Sequence, residues 1–182
     1  MSLKLFFYIV VLIIAVLGYR SYANSKNALH MGDDAPNFRL EDIKGKDRTL
    51  EDYAGKYTVL YFYPKDETPG CIKEACLFRD DLAQLEKLGA NVVGISVDTS
   101  ASHAEFAKKY QLPFDLLSDT DGHVAARYQA LNNFYILKLA KRHTFLISPD
   151  GKIAKIYRDV NVSKHSKQII EDLIALQHTN VT

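Results

Sequence analysis

Cys71 and Cys76 are the only cysteines among the 182 residues of the chain, and five positions separate them. A thiol becomes a strong nucleophile once it loses its proton, so the surroundings of each cysteine decide what it can do. The run Tyr61-Phe62-Tyr63 is apolar and strand-like, and it stops at Pro64. Lys65-Asp66-Glu67-Thr68-Pro69-Gly70 follows, a stretch of turn formers that bends the backbone. From Cys71 onward, Ala75, Phe78, Leu82 and Leu85 recur at three- and four-residue steps, one face of a helix. Cys71 therefore stands at a helix N-terminus, where unpaired backbone N–H groups and the helix dipole favour a thiolate. Thr68, three residues earlier, brings a hydroxyl to the same place.

Five residues of α-helix correspond to a rise of about 7.5 Å and a rotation of about 140°. A disulfide needs Cα atoms within about 7 Å and Cβ vectors that face each other. Cys71 and Cys76 cannot bond while the helix is intact. As a redox pair they require its first turns to unwind. The plainer alternative is two small packing residues, since free cysteine is often buried. Thr68 is equally a turn or cap residue, and Glu74 is either part of a hydrogen-bond network or a solvated helix charge. The histidines are scattered without metal-ligand spacing and read as surface or core residues, as do the tyrosines.

Pro64-x-x-x-Thr68-x-x-Cys71, preceded by Tyr61-Phe62-Tyr63 and followed by Cys76 and Phe78-Arg79-Asp80, resembles the active-site signature of peroxiredoxins. The resemblance is to the peroxiredoxin Q branch, also called bacterioferritin comigratory protein, and runs from about Leu29 into the last helix. It implies a thioredoxin-like fold and a thiol peroxidase that needs no cofactor. Cys71 would be the peroxidatic cysteine and Cys76 the resolving one. Pro64 would shield the thiolate, Thr68 would hydrogen-bond the peroxide, and Arg142, ahead of Thr144-Phe145-Leu146-Ile147, would match the family's arginine. The substrates implied are hydrogen peroxide and organic hydroperoxides, and the recycling partner is a thioredoxin-like dithiol protein. Ile72 departs from the threonine common after the peroxidatic cysteine in this branch.

The remaining chain supplies the scaffold. Phe38 and Leu40 before Lys44-Gly45-Lys46-Asp47 predict an early hairpin, and Leu50–Lys56 a short helix. Strands are expected at Thr58–Tyr63, Asn91–Val97, Pro113–Leu117, His143–Ile147 and Ile153–Tyr157. Helices are expected after Ser100 or Ser102 to Tyr110, over His123–Gln129, and over Ser163–His178. Alternating strands and helices closed by a hairpin and a helix argue for an α/β fold, a central mixed β-sheet flanked by helices. Leu131–Leu139 is unusually apolar, which fits packing on a membrane, a partner or the active site.

The first 23 residues stand outside that pattern. Leu5–Leu17 carries no charge, and at thirteen residues it falls short of the ~20 that span a bilayer. Two readings stay open: a signal peptide with Ser21-x-Ala23 at its cleavage site, or a short uncleaved anchor through residues 5–19. Residues 24–30 suit a tether and residues 31–182 the catalytic domain. An exported body, periplasmic or anchored to the inner membrane, is the expectation, and a monomer. The net charge of +1 gives no sign of nucleic-acid binding. Two rival functions share the scaffold: a membrane-tethered thiol–disulfide oxidoreductase, disfavoured because such enzymes carry C-x-x-C, and a metal-delivery protein using thiols and a histidine.

Overall fold

The computed structural model describes residues 7–13, 15, 28–134 and 137–179. Among the described residues from 28 onward, nine strands and five α-helices follow in order: β1 Arg39–Asp42, β2 Asp47–Thr49, β3 Tyr57–Phe62, α1 Pro69–Asp80, α2 Leu82–Lys87, β4 Ala90–Ser96, α3 Ser100–Tyr110 and β5 Asp115–Ser118. The second half comprises α4 His123–Arg127, β6 Leu131–Phe134, β7 Leu137–Ala140, β8 Thr144–Ile147, β9 Ile153–Tyr157 and α5 His165–Thr179. A seven-stranded sheet has the order β2-β1-β5-β4-β3-β8-β9. The pairs β3–β4 and β4–β5 are parallel, whereas β1–β5, β3–β8 and β8–β9 are antiparallel. This mixed sheet with helices on both faces is the thioredoxin-like architecture expected from the sequence.

β3 explains why the sheet can carry a site at its end. Every residue from Tyr57 to Phe62 is buried. Alternation sends Val59, Tyr61 and Tyr63 into one core and Leu60 and Phe62 into the other. The first core receives Phe78 of α1, Leu85 of α2, Phe106 of α3 and Ile169 and Leu173 of α5. The second receives Val124 and Ala125 of α4 together with Tyr128. Each such aliphatic or aromatic side chain stabilises the fold by about 1.5–3 kcal/mol, so β3 is a rigid base for the loop that leaves it.

Several boundaries differ from those read in the sequence. The helix carrying the cysteines begins at Pro69, two residues before Cys71, and breaks at Asp81. The break keeps Leu85 in the core while Leu82 is only partly buried. Asp81 is fixed there by the Ser166 hydroxyl, which donates to its carboxylate at 2.6 Å. Neither Ser100 nor Ser102 caps α3: Thr99 does, its hydroxyl accepting from the Ser102 N–H at 3.3 Å. The short helix before β3 is a 3-10 turn, Leu50–Tyr53. The apolar segment 131–139 is a two-stranded ribbon, β6 against β7, with Leu131 packed on the second core. Its centre, Tyr135 and Ile136, lies outside the described residues, as does the Ser21-x-Ala23 cleavage site.

Gly94 of β4 shows how tight the first core is. A Cβ added there would lie 2.7 Å from the Tyr61 ring and from Leu116. Gly94→Ala should therefore cost about 1–3 kcal/mol of unfolding free energy through overpacking, read out by urea denaturation.

Candidate active site

The corner between β3 and α1 is shaped by local chemistry. Thr68 is extended (φ −81°, ψ 144°) and occupies the N-cap, and Pro69 follows at the first helical position. Proline costs nothing there, because its missing N–H would have had no intrahelical partner. The Thr68 side chain does not cap the helix. Its hydroxyl instead donates to the Lys65 carbonyl at 3.1 Å, so its lone pairs remain free to accept from a bound ligand. Cys71 lies in the first turn with its side chain 1% exposed.

Arg142 enters from 71 positions away, two residues before β8, and its Nη2 donates to the Cys71 Sγ at 3.2 Å. The same guanidinium donates through Nη1 to the Glu74 carboxylate. Gly70 makes room for it: a Cβ at that position would come within 3.2 Å of Arg142 Nη2. A permanently charged, forked donor thus spans the sulfur and a carboxylate on the same helix. Glu74 is 1% exposed and one of its oxygens, Oε1, has no partner among the described residues. Glu74 is therefore an element of the buried network and not a solvated helix charge. Burial pushes its carboxyl up to about 7, with Arg142 pulling in the other direction.

Cys76 lies on the same unbroken helix, half-buried, and both thiols are free. Arg79, one turn on, is held by the Tyr110 carbonyl at 2.7 Å and by Asp80. Pro64 is half-buried at the other end of the loop, directly after the fully buried Tyr63. The structure thus brings Cys71, Thr68 and Arg142 to one corner, with Pro64 at its rim and Cys76 on the next turns of the helix.

One group of residues was not legible in the sequence. Asp66, in the middle of the loop, is 4% exposed. Its carboxylate accepts from the Tyr63 hydroxyl at 2.8 Å and the Ser102 hydroxyl at 2.7 Å, and faces His103 Nδ1 at 2.9 Å. Burial works to raise its carboxyl, but the His103, Ser102 and Tyr63 hydrogen bonds outweigh it and hold Asp66 below the ordinary carboxylate range. Glu67 has a left-handed backbone (φ 59°) and accepts from Lys109 Nζ at 2.6 Å. In the sequence Asp66 is one more turn former, and His103 one scattered histidine more than thirty residues away. Only the packing of α3 under the loop joins them.

A thioredoxin-like scaffold that presents a first-turn thiol beside a half-buried guanidinium defines a thiol peroxidase. The chain belongs to the AhpC/TSA family, whose model matches residues 31–156. It is 38% identical over 155 residues to peroxiredoxin Bcp of Bacillus subtilis, covering 80% of this chain and 95% of that protein. It is 44% identical over 147 residues to the chloroplastic peroxiredoxin Q of Triticum aestivum, covering 81% of this chain and 66% of the longer plant protein. Among solved structures, a bacterioferritin comigratory protein of Xanthomonas campestris, studied for alkyl peroxide reduction, superposes with a TM-score of 0.73. It is 32% identical, with 81% of this chain and 96% of that one covered. The chain is thus a peroxiredoxin of the Q or Bcp type and acts as a thiol-dependent peroxidase. Nothing supports the oxidoreductase or metal-delivery readings, and among the described residues no group of three or more His, Cys, Asp or Glu is placed to hold a metal.

Glu74 makes the stability of the site depend on pH. Its value in the folded protein lies above the ordinary 4.5. Its contribution is therefore fully present below about pH 4.5 and is lost as pH rises through about 7. Urea denaturation at pH 5 and pH 8 should show the wild type losing up to about 3 kcal/mol from this group, a slope that Glu74→Gln removes.

Proposed function

We propose that Cys71 is the peroxidatic residue, Cys76 resolves it, and Thr68, Arg142 and Pro64 prepare the attack on hydrogen peroxide or a small organic hydroperoxide. The observation that carries this is the Arg142 Nη2 donor 3.2 Å from Cys71 Sγ, with Thr68 at the cap of the same helix. The thiolate attacks one peroxide oxygen and the O–O bond breaks. Cys71 becomes a sulfenic acid and the other oxygen leaves as hydroxide or alkoxide, protonated to water or alcohol. Arg142 places fixed positive charge beside the reacting atoms as negative charge moves from sulfur to the leaving oxygen. Thr68 accepts a hydrogen bond from the hydroperoxide, and Pro64 limits water at the rim.

The Cys76 thiol then displaces the sulfenic oxygen as water and forms the Cys71–Cys76 disulfide. Because both residues lie on α1, this step unwinds the segment between them and releases the Glu74–Arg142 pair. A thioredoxin-like dithiol protein reduces the disulfide and becomes oxidised itself. Replacing Cys71 by Ser should abolish turnover. Replacing Cys76 by Ser should leave one equivalent of oxidation, followed by accumulation of sulfenic or sulfinic acid at Cys71. Stopped-flow mixing of reduced protein with hydrogen peroxide, then mass analysis of both cysteines, separates these outcomes. Oxidation no faster than that of an ordinary free thiol would defeat the assignment.

The N-terminal segment supports an exported protein, either processed at Ser21-x-Ala23 or held at the inner membrane through residues 5–19. Leu5–Leu17 is uncharged, and Phe7, Tyr8 and Leu12 are exposed. Among the described residues no helix is long and apolar enough to cross a membrane. Fractionation of cells making the full chain with a C-terminal tag, with N-terminal sequencing of the product, decides between them. Export predicts tagged protein in the periplasmic or membrane fraction. Full-length protein confined to the cytosol would overturn it.

A further inference from the structure

We propose that Asp66, Asp98 and His103 form a positioning network that sets the Thr68 hydroxyl over Cys71, a role that rests on Cys71 and Thr68 acting as described above. The connection runs through one peptide unit. The Asp66 N–H donates to Asp98 Oδ2 at 2.9 Å, while the carbonyl on the other side of that peptide bond, Lys65 O, accepts the Thr68 hydroxyl at 3.1 Å. Because a peptide is planar and rigid, fixing the N–H fixes the direction of the carbonyl. The orientation of the Thr68 hydroxyl is therefore decided at Asp98, on the turn after β4.

Both ends of the lever are held. Asp98 Oδ2 also accepts the Ser96 hydroxyl at 2.7 Å, and the Asp98 carbonyl accepts the Ser118 hydroxyl at 2.6 Å. The Asp66 side chain is gripped by Tyr63, Ser102 and His103, and His103 is 0% exposed. The ring nitrogens of His103 face acceptors on both sides, the Asp66 carboxylate at 2.9 Å and the Leu117 carbonyl at 3.2 Å. The grip therefore links the loop to α3 and β5 at once. Next door, Glu67 takes a left-handed φ of 59° and accepts from Lys109. None of these groups touches the sulfur. They act through Thr68.

The network has a consequence for the reaction cycle. It lies entirely outside the part of α1 that must unwind, on the loop before that helix, the turn after β4, and α3 and β5. The Thr68 hydroxyl is therefore expected to remain set while Cys71 and Cys76 meet, so that the refolded helix returns Cys71 to a prepared site.

The test is a double-mutant cycle on the rate of Cys71 oxidation by hydrogen peroxide, using wild type, His103→Leu, Thr68→Val and the double variant. Misplacing a reacting group by about 1 Å costs on the order of 10²-fold, so His103→Leu should slow oxidation by roughly that factor. In the Thr68→Val background the same change should cost far less, because the group it positions is gone. Reduction of the disulfide by dithiothreitol should stay near the wild-type rate, which a general loss of structure would not allow. His103→Asn, which keeps a donor toward Asp66, should recover most of the oxidation rate. Should His103→Leu fail to fold, Asp98→Ala takes its place in the cycle, since Asp98 is half-buried and lies outside the two cores. Wild-type oxidation rates in the positioning variants, or costs that simply multiply with Thr68→Val, would overturn the proposal. Mass analysis of the wild type keeps the two readings apart. Oxidation elsewhere than Cys71 would remove the site assignment itself, whereas Cys71 oxidation with multiplying costs would remove only the network.

Discussion

Two thiols on one intact helix cannot reach each other, and the site is built around that incompatibility. The peroxide step needs α1 wound, because only then does Cys71 sit in the first turn beside Arg142. The disulfide needs the same turns unwound. The bonds that lie between Cys71 and Cys76 are suited to this exchange. The Glu74–Arg142 pair bridges the segment, yet burial pushes the Glu74 carboxyl up to about 7, which weakens the carboxylate as a partner for the Arg142 cation. Lys73 donates an exposed hydrogen bond to Ser163, ahead of α5, at 2.7 Å. Beyond Cys76 the attachments are heavier: Phe78 is fully buried against Tyr61 and His165, and Asp81 is tied to Ser166. Unwinding is thereby confined to the turns that carry the chemistry.

What surrounds that segment is correspondingly stiff. β3 is buried along its whole length and faces two cores. The loop that leaves it is pinned by the Asp66 carboxylate below and by Glu67 on the outside. The proposed cycle, in which part of the site melts, needs fixed points to rebuild from. Local openings draw on regions with few buried contacts, and the buried strand and the α3 network are not among them.

The sequence made the architecture legible because hydrophobic periodicity reports directly on burial. The early hairpin, the central strands and β9 appeared where they were read, and the C-terminal helix differs by two residues at its start. The errors have local causes. Ser100 and Ser102 are good cap residues by type, but Thr99 has the extended backbone that capping requires. The stripe Ala75, Phe78, Leu82, Leu85 looked like one helix because a kink at Asp81 barely disturbs its spacing.

The sequence by itself pointed to an activated thiol at a helix start, and the resemblance of its proline, threonine and cysteines to the peroxiredoxin signature pointed to the chemistry. It also determined that a disulfide between the two would require unwinding, since helix geometry is local and the same in every protein. Tertiary structure alone decided the electrostatics. The Arg142 contact to Cys71, the burial of Glu74 and the grip of His103 on Asp66 join residues that are 71, 68 and 37 positions apart. Periodicity can say that a residue is buried. It carries no record of which distant group lies opposite, because that depends on how the sheet brings separate elements together.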